Sequence, residues 1–296
     1  MTGGEPMRPH QRLDYQASID RPKLTLPDGK RVAVYLVVNI ERWDIDRPMP
    51  RQVLSAPQGA AVVPDLANWA WHEYGMRVGF WRLKAALDRH GIRPTLSING
   101  TVVDAYPRVA HAAADAGWEF MGHGWHQVPS HAVEDRRAMI RQTIDAMRRA
   151  TGALPVGWLA PGLTETLDLP DLLSEAGIRY LADWVVDDLP CPIRTAHGPL
   201  ITMPYSVELN DIPLMAIQHH AARELADRTM AQFERLDQEA RTQGAKVMGL
   251  AVHPYLSGVP HRIGWFEDLL ARLAAAPGAV FMQGREILDW YLQATR

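Results

Sequence analysis

The stretch Val32-Ala-Val-Tyr-Leu-Val-Val-Asn-Ile-Glu-Arg-Trp43 contains an apolar run that ends in an amide and a carboxylate. Its first seven residues favour β-structure, and the pattern predicts a buried strand. Asn39 and Glu41 lie two residues apart, so they share one side if the strand stays extended. A carboxylate at a strand end can act as a base or a metal ligand. Pairing with Arg42 or another cation explains Glu41 equally well on local sequence.

Strand-like and helix-like segments alternate along the rest of the chain. Strands are predicted at 94–98, 118–121, 156–159, 178–182, 200–203, 247–252 and 279–282. The amphipathic segments between them predict helices, so a mostly parallel α/β sheet is expected. No linker or repeat divides the chain, which indicates one domain over residues 31–296 after an N-terminal surface extension over residues 1–30. An open doubly wound sheet would alternate in the same way, but polar residues at successive strand ends favour a barrel, whose chemistry lies at its C-terminal mouth.

Composition excludes several classes of protein. The chain has 296 residues, of which 47% are hydrophobic and 22% charged, and these values are typical of a globular protein. A net charge of −3 argues against nucleic acid as the main partner. Because no segment has the length of a membrane span or the pattern of a signal peptide, we expect a cytoplasmic protein without a membrane partner. The single cysteine, Cys191, excludes a cysteine-based zinc site and is expected to be an inert loop thiol.

Histidines follow two of the predicted strands. His123 lies between two glycines, which permit close backbone approach in a crowded site. His123 and His126 could bind one metal ion if the turn between them directs both imidazoles inward and further ligands are supplied. His253 ends the strand at 247–252 abruptly and could exchange protons near neutral pH, although a capped core histidine has the same pattern.

Several other residues are candidates for substrate contact. Arg262 could bind substrate or pair with an acid, and residues 44–74 form a weakly periodic segment that we expect to cover the mouth of the barrel. Tryptophans at or just after strand ends could form flat apolar walls for a ring, although ordinary packing is the commoner role of large aromatics. These tryptophans are Trp43, Trp125, Trp158 and Trp184.

Taken together, these segments resemble the polysaccharide deacetylase superfamily, and more closely its branch of allantoinase-like and cyclic-imide-hydrolysing enzymes. The similarity runs from about residue 31 to residue 290. The motifs that carry it are Val38-Asn39-Ile40-Glu41, Glu73-Tyr74-Gly75, His123-Gly124-Trp125, Gly157-Trp158, Asp187-Asp188-Leu189-Pro190, Pro204-Tyr205 with Asn210-Asp211, and His253 followed by Gly258-x-Pro260-x-Arg262. The resemblance implies a distorted (β/α) barrel of about seven strands.

Two positions depart from the sugar-deacetylase pattern. Sugar deacetylases of this superfamily have a carboxylate base where this chain has Asn39, and a second metal histidine where it has Gln127. A side-chain amide does not take up a proton at neutral pH and is a poor zinc ligand. Asn-x-Glu and His-Gly-Trp instead resemble the branch that opens small cyclic amides.

The resemblance therefore implies a hydrolase of non-peptide carbon–nitrogen bonds that acts on a small cyclic amide, imide or ureide. Glu41 is expected to be the base or a metal anchor, His123 to orient water or bind metal, and His253 to act as acid or oxyanion contact. Asn39, Trp125, His126 and Trp158 are expected to shape the pocket, with Trp43, Trp184 and Arg262 as further substrate contacts.

The cofactor and the partners are also expectations at this point. Either no cofactor is required, or a divalent metal such as zinc is held by Glu41, His123 and His126. A homo-oligomer is expected. The alternatives are a metal-dependent N-deacetylase of an amino sugar and a barrel that binds a small ligand without catalysis.

Overall fold

The first strand is the centre of the sheet. A computed structural model describes residues 5–56 and 59–296, so residues 1–4 of the predicted extension and residues 57–58 of the predicted cover lie outside it. In β1, Val32–Ile40, all nine residues are buried. The strand pairs in parallel with β8, Lys246–Val252, on one side, and with β2, Thr95–Ile98, and β9, Ala279–Phe281, on the other. Burial on both faces explains its continuous apolar sequence.

Seven parallel strands form a continuous path in the order β7, β5, β4, β3, β2, β1, β8. Strand β6 adds antiparallel to β7 at the edge. Within the described ranges, β6 and β8 end the path without pairing with each other, so the barrel is open. The predicted distorted α/β barrel of about seven strands is confirmed. The remaining strands are β3, Glu119–Gly122; β4, Gly157–Trp158; β5, Tyr180–Leu181; β6, Cys191–Ile193; and β7, Leu200–Thr202.

Helices cover the outside of the sheet, and none in the described part of the chain is long and apolar enough to cross a membrane. Two stretches are π-helical, Gly75–Gly79 and Ile212–Ile217. The α-helices are α1, Pro9–Arg12; α2, Leu66–Tyr74; α3, Phe80–Arg89; α4, Val102–Ala105; α5, Pro107–Asp115; α6, Arg136–Thr151; α7, Leu169–Glu175; α8, Ala222–Gln243; α9, Pro260–Ala275; and α10, Gly284–Ala294.

Two elements differ from the sequence expectation. Helix α2 lies in the segment expected to be weakly periodic, and its buried residues are the polar Asn68 and His72, so no apolar stripe marks it. Strand β6 contains Cys191 and Pro192, which were expected to lie in a loop. Proline is tolerated in a strand at the sheet edge, and β6 is such an edge strand.

Glycines bring the helical segment from α2 to α3 into backbone contact with the loop that follows β8. A Cβ added to Gly79 would overlap the carbonyl oxygen of Pro254, and one added to Gly258 would lie 2.5 Å from the carbonyl oxygen of Gly79. At Gly75 the added atom would lie 2.6 Å from the backbone nitrogen of Tyr255. The absence of side chains at these three positions therefore fixes how closely the loop approaches the helix.

We predict that Gly79→Ala destabilises the protein, because the new methyl group must push two backbone segments apart. Overpacking of this kind costs about 1–3 kcal/mol in the free energy of unfolding. The matched control is Gly264→Ala in α9, where an added Cβ meets nothing within 4 Å; there alanine should be neutral or stabilising by about 0.5–1 kcal/mol. Urea unfolding of both variants is the measurement, and equal stabilities would contradict the proposed close contact.

Candidate active site

A cavity of about 750 Å³ opens at the carboxyl ends of the central strands. Glu41 follows β1, His123 follows β3 and His253 follows β8, so three separate strand ends bring the predicted catalytic residues to its floor. Asn39 and His126 also line it, as predicted for pocket residues. Other lining residues are Arg42, Asp44, Arg47, Pro48, Pro50, Arg51, Gln127, Leu163, Tyr205, Ile212 and Pro213.

The Glu41 carboxylate is held by donors from three segments. Trp43 Nε1 donates to Oε2 at 2.7 Å and Tyr255 Oη donates to the same oxygen at 3.2 Å. Gln127 Nε2 donates to Oε1 at 2.9 Å. His72 lies stacked on Trp43 with ring centroids 4.6 Å apart, and its Nε2 lies 2.9 Å from the backbone oxygen of Glu41. Glu41 thus has a fixed orientation, with Oε1 facing the cavity histidines.

Two imidazoles face that oxygen with different partners behind them. His123 Nε2 lies 3.9 Å from Glu41 Oε1, and its Nδ1 donates to the carbonyl oxygen of Leu159 at 2.7 Å. A carbonyl can only accept, so Nδ1 carries a proton, and in the neutral form of the ring Nε2 would be an acceptor. His253 Nε2 lies 3.6 Å from the same Glu41 oxygen.

His253 is paired with a buried carboxylate on its far side. Its Nδ1 donates to Asp211 Oδ1 at 2.6 Å, while its backbone N–H and Ser257 Oγ both donate to Asp211 Oδ2 at 2.7 Å. Burial alone would lower the pKa of His253, but the charge and hydrogen bond of Asp211, with those of Glu41, raise it to about 9. His253 is therefore an imidazolium at neutral pH.

Glu41 is ionised in the same environment. Burial raises the pKa of its carboxyl, but the hydrogen bonds and charges of His123 and His253 outweigh that effect and lower the pKa well below its usual value. The floor thus contains a carboxylate between two imidazoles, of which His253 is charged.

One peptide bond connects His123 to a pair of buried acids. The Leu159 carbonyl accepts from His123, and the N–H of Ala160 in the same peptide group donates to both Asp183 oxygens, at 2.9 and 3.0 Å. Burial and the nearby Glu165 raise the pKa of Asp183 well above its usual value, and burial raises that of Glu165 to about 7. Asp183 therefore fixes the peptide group that orients His123, although it does not itself line the cavity.

A tyrosine at the cavity wall is held by two amides. Asn39 Nδ2 and Asn210 Nδ2 each donate to Tyr205 Oη at 3.1 Å. Among the described residues, one side-chain acceptor lies within reach of the phenol hydrogen. It is Asn39 Oδ1, at 3.4 Å, and it belongs to the same amide whose nitrogen donates to the phenol oxygen. Burial raises the pKa of Tyr205 above its usual value, so the phenol keeps its proton.

The arrangement does not fit the predicted metal set. His253, not His126, joins Glu41 and His123, while His126 lies on the cavity wall. Gln127 points an amide N–H at the Glu41 oxygen that would face an ion. Across residues 5–56 and 59–296, no group of three or more His, Cys, Asp or Glu side chains is arranged to hold a metal.

The prediction that the four tryptophans and Arg262 contact substrate needs correction, because none of these residues lines the cavity. Trp43 and Trp158 are buried in the core beneath the site, where Trp43 orients Glu41 and Trp158 packs beneath Gly122. Trp125 covers Gly100, and Trp184 donates to Glu165. Arg262 lines a separate small pocket with Ser257, on the far side of Asp211. Of these side chains, Trp43 supports the floor directly, through its hydrogen bond to Glu41.

Three residues important to the site were not among the predicted site residues. Asp211 and Tyr205 lie in motifs that carry the family resemblance, Asn210-Asp211 and Pro204-Tyr205, and that was the signal available for them. The sequence marks Gln127 only as the position where sugar deacetylases have a metal-binding histidine. Its hydrogen bond to Glu41 depends on a loop conformation that local sequence does not specify.

Comparisons with known proteins agree with this architecture. A polysaccharide deacetylase family model matches residues 72–181. A Schizosaccharomyces pombe protein described as a polysaccharide deacetylase is 24% identical, with 88% of this chain and 89% of that protein covered. A crystal structure described as a polysaccharide deacetylase from Pseudomonas aeruginosa PAO1 has a TM-score of 0.84 at 24% identity, covering 93% of this chain and 95% of its own. The structure of Puue allantoinase also has a TM-score of 0.84, at 20% identity, covering 95% and 98%.

The chain therefore has the polysaccharide deacetylase-like α/β barrel fold, and its residues 72–181 match the model of that family. The predicted resemblance to the polysaccharide deacetylase superfamily is supported by the matching family model and by relatives aligned over most of the chain. The predicted enzyme class, hydrolases of carbon–nitrogen bonds other than peptide bonds, agrees with this assignment.

We predict that His253 stays protonated until the pH rises through about 9 and that Asp211→Asn lowers this pKa by at least about one unit. The physical reason is the loss of an adjacent negative charge, since an opposite charge nearby shifts a pKa by about 1–3 units. Nitrogen-15 NMR titration of the imidazole is the measurement. The control is Asp227→Asn on α8, which should leave the titration unchanged; the same midpoint in the Asp211 variant would remove Asp211 as the cause.

Proposed function

We propose that the protein hydrolyses a carbon–nitrogen bond in a small cyclic amide, imide or ureide. The observation that carries this proposal is the pair of imidazoles on one fixed carboxylate: His123 offers a lone pair, and His253 offers a proton. Opening a ring amide needs both functions, because water must lose a proton and the departing nitrogen must gain one.

In the proposed first step, Glu41 Oε1 and His123 Nε2 orient a water molecule. The two atoms are 3.9 Å apart, so one water oxygen can lie within hydrogen-bond distance of both. As the water oxygen bonds to the ring carbonyl carbon, His123 Nε2 takes its proton. The negative charge of Glu41 then stabilises the imidazolium that forms.

In the same step the carbonyl oxygen gains negative charge, and the Tyr205 phenol is the proposed donor to it. Two amides donate to its oxygen, and within the described segments the phenol hydrogen makes only a long contact of 3.4 Å with Asn39 Oδ1, which a developing oxyanion would replace. When the carbon–nitrogen bond breaks, His253 Nε2 gives its proton to the ring nitrogen, and Asp211 keeps the imidazole oriented throughout. Asn39, in the position of a deacetylase base, thus acts as a hydrogen-bond donor that orients Tyr205.

The volume and the lining of the cavity favour a small ring compound over a polymer as the substrate. A volume of about 750 Å³ is in the range of small-molecule sites, and apolar side chains line much of its wall. Residues of the predicted 44–74 cover, among them Pro48 and Pro50, form part of this wall and support the idea that the segment restricts access. A cytoplasmic homo-oligomer consisting of one domain over residues 31–296 remains part of the proposal.

The second candidate is an N-deacetylase acting on an amino sugar. It is favoured by the polysaccharide deacetylase family model and by relatives described as polysaccharide deacetylases. Against it stand Asn39 and Gln127, which donate hydrogen bonds at the positions where the sequence pattern of deacetylases has a base and a metal histidine.

We expect the protein to hydrolyse at least one of hydantoin, succinimide and allantoin, and to leave acetylated chitooligosaccharides unchanged. Activity should survive dialysis against EDTA, since the proposed steps use only side chains of this chain. Chromatography of the products, with elemental analysis of the dialysed protein, is the measurement. Turnover of chitooligosaccharides alone, abolished by EDTA and restored by zinc, would favour the deacetylase.

Tyr205→Phe should lower kcat about 10²–10³-fold with little change in KM, because an oxyanion donor acts mainly in the transition state. The variant also leaves two amide donors without their acceptor, so its melting temperature is measured beside its kinetics. Tyr15→Phe, at a side chain that is 94% exposed, is the control and should match the wild type. A folded Tyr205 variant with a normal kcat would exclude the phenol from the reaction.

A further inference from the structure

The mouth of the cavity carries a concentration of positive charge. Arg42, Arg47 and Arg51 all line it; of the two acids on this segment, Asp44 lines the cavity and Asp46 does not. Asp44 pairs with Arg47 at 3.6 Å. The Arg42 side chain has no ion pair or hydrogen bond within the described residues, and Arg51 reaches only the carbonyl oxygen of Pro50, at 3.4 Å. Two guanidinium groups at the mouth therefore have no acidic partner in the described part of the chain.

The charges deeper in the cavity do not neutralise these arginines. Glu41 is the carboxylate on the floor and Asp211 lies on the far side of His253, so the single positive charge of His253, 3.6 Å from Glu41 and 2.6 Å from Asp211, offsets one of these two carboxylates. With Asp44 paired with Arg47, the charges of Arg42 and Arg51 outweigh the one carboxylate that remains at the floor, and an excess of positive charge is left at the mouth. A cavity with this excess favours a ligand that brings negative charge.

The arginine charges also reach the wall and the floor. Burial lowers the pKa of His126, and the charges of Arg47 and Arg42 lower it further. The charge of Arg51 lowers the pKa of Tyr255. Burial and the charge of Glu41 outweigh this effect, so the pKa of Tyr255 is raised overall. Because Tyr255 donates to Glu41, the field of Arg51 extends to the group that contacts the catalytic carboxylate.

From this charge distribution we infer that the substrate carries a carboxylate outside the reacting ring, and that Arg42 and Arg51 bind it. The inference rests on the proposed ring hydrolysis and specifies its substrate class. The reacting carbonyl lies at the floor between Tyr205 and His253, whereas the arginines lie at the mouth, so the carboxylate is on a substituent that points away from the bond to be broken. Guanidinium groups suit this task because they match the planar geometry of a carboxylate.

A second source of carboxylate must be distinguished. Ring opening itself produces a carboxylate from the attacked carbonyl, and that group forms at the floor. If the arginines served only the product, neutral and anionic substrates would be opened equally well. Recognition of a substituent requires a preference before any bond is broken.

The test compares hydantoin-5-acetic acid with hydantoin-5-acetamide, which have nearly the same shape and differ in charge. We expect the acid to have at least about tenfold higher kcat/KM. Arg42→Gln combined with Arg51→Gln should reduce this ratio to about one, and 0.5 M NaCl should weaken it in the wild type. The control is Arg235→Gln, on the outer surface in α8 with a side chain 70% exposed, which should keep the wild-type ratio.

Calorimetric binding of both compounds separates failure of the inference from failure of the proposed function. Tighter binding of the acid that is lost in the double variant, with no ring opening of either compound, would support the anion site and contradict hydrolysis of these rings. Equal hydrolysis of the two compounds would support ring hydrolysis and overturn the inference. An acid preference retained by the double variant would also overturn it.

Discussion

The site depends on keeping the Glu41 carboxylate charged inside the protein. Removing a carboxylate from water is unfavourable unless other groups replace the lost hydrogen bonds. Here the indole of Trp43, the phenol of Tyr255 and the amide of Gln127 replace them. These residues come from the end of β1 and from the loops after β8 and β3, so the position of one charge ties three parts of the barrel together.

The central strand pattern and the three main candidates could be predicted from sequence. Apolar runs reveal the long buried strands β1 and β8, which Glu41 and His253 follow directly, and His123 follows the short strand β3. Asp211 could not be found in this way, because it precedes a short π-helical stretch and meets His253 only through the tertiary fold. The tryptophans were misassigned for a related reason. Position at a strand end does not determine whether an aromatic ring faces the cavity or the core.

Asn39 and Gln127 are the two positions at which this chain departs from the sugar-deacetylase pattern. In this chain both amides are hydrogen-bond donors, one to Tyr205 and the other to Glu41. Each stands where the related pattern has a residue that would accept a proton or coordinate an ion. In the proposed reaction the two histidines handle the protons, and they differ in their partners: a carbonyl for His123 and a carboxylate for His253.

The backbone contact between the α2–α3 segment and the loop after β8 has a consequence for how the protein can diversify. Since a Cβ added at Gly75, Gly79 or Gly258 would meet main-chain atoms, and at Gly75 also the Cβ of Tyr255, no ordinary substitution there can adjust the spacing of His253 and Tyr255 gradually. The arginine-bearing segment after β1 is more exposed and carries few such contacts. Evolution or a protein engineer could therefore exchange that segment to recruit new ligands, while the reaction centre is inherited as an indivisible unit.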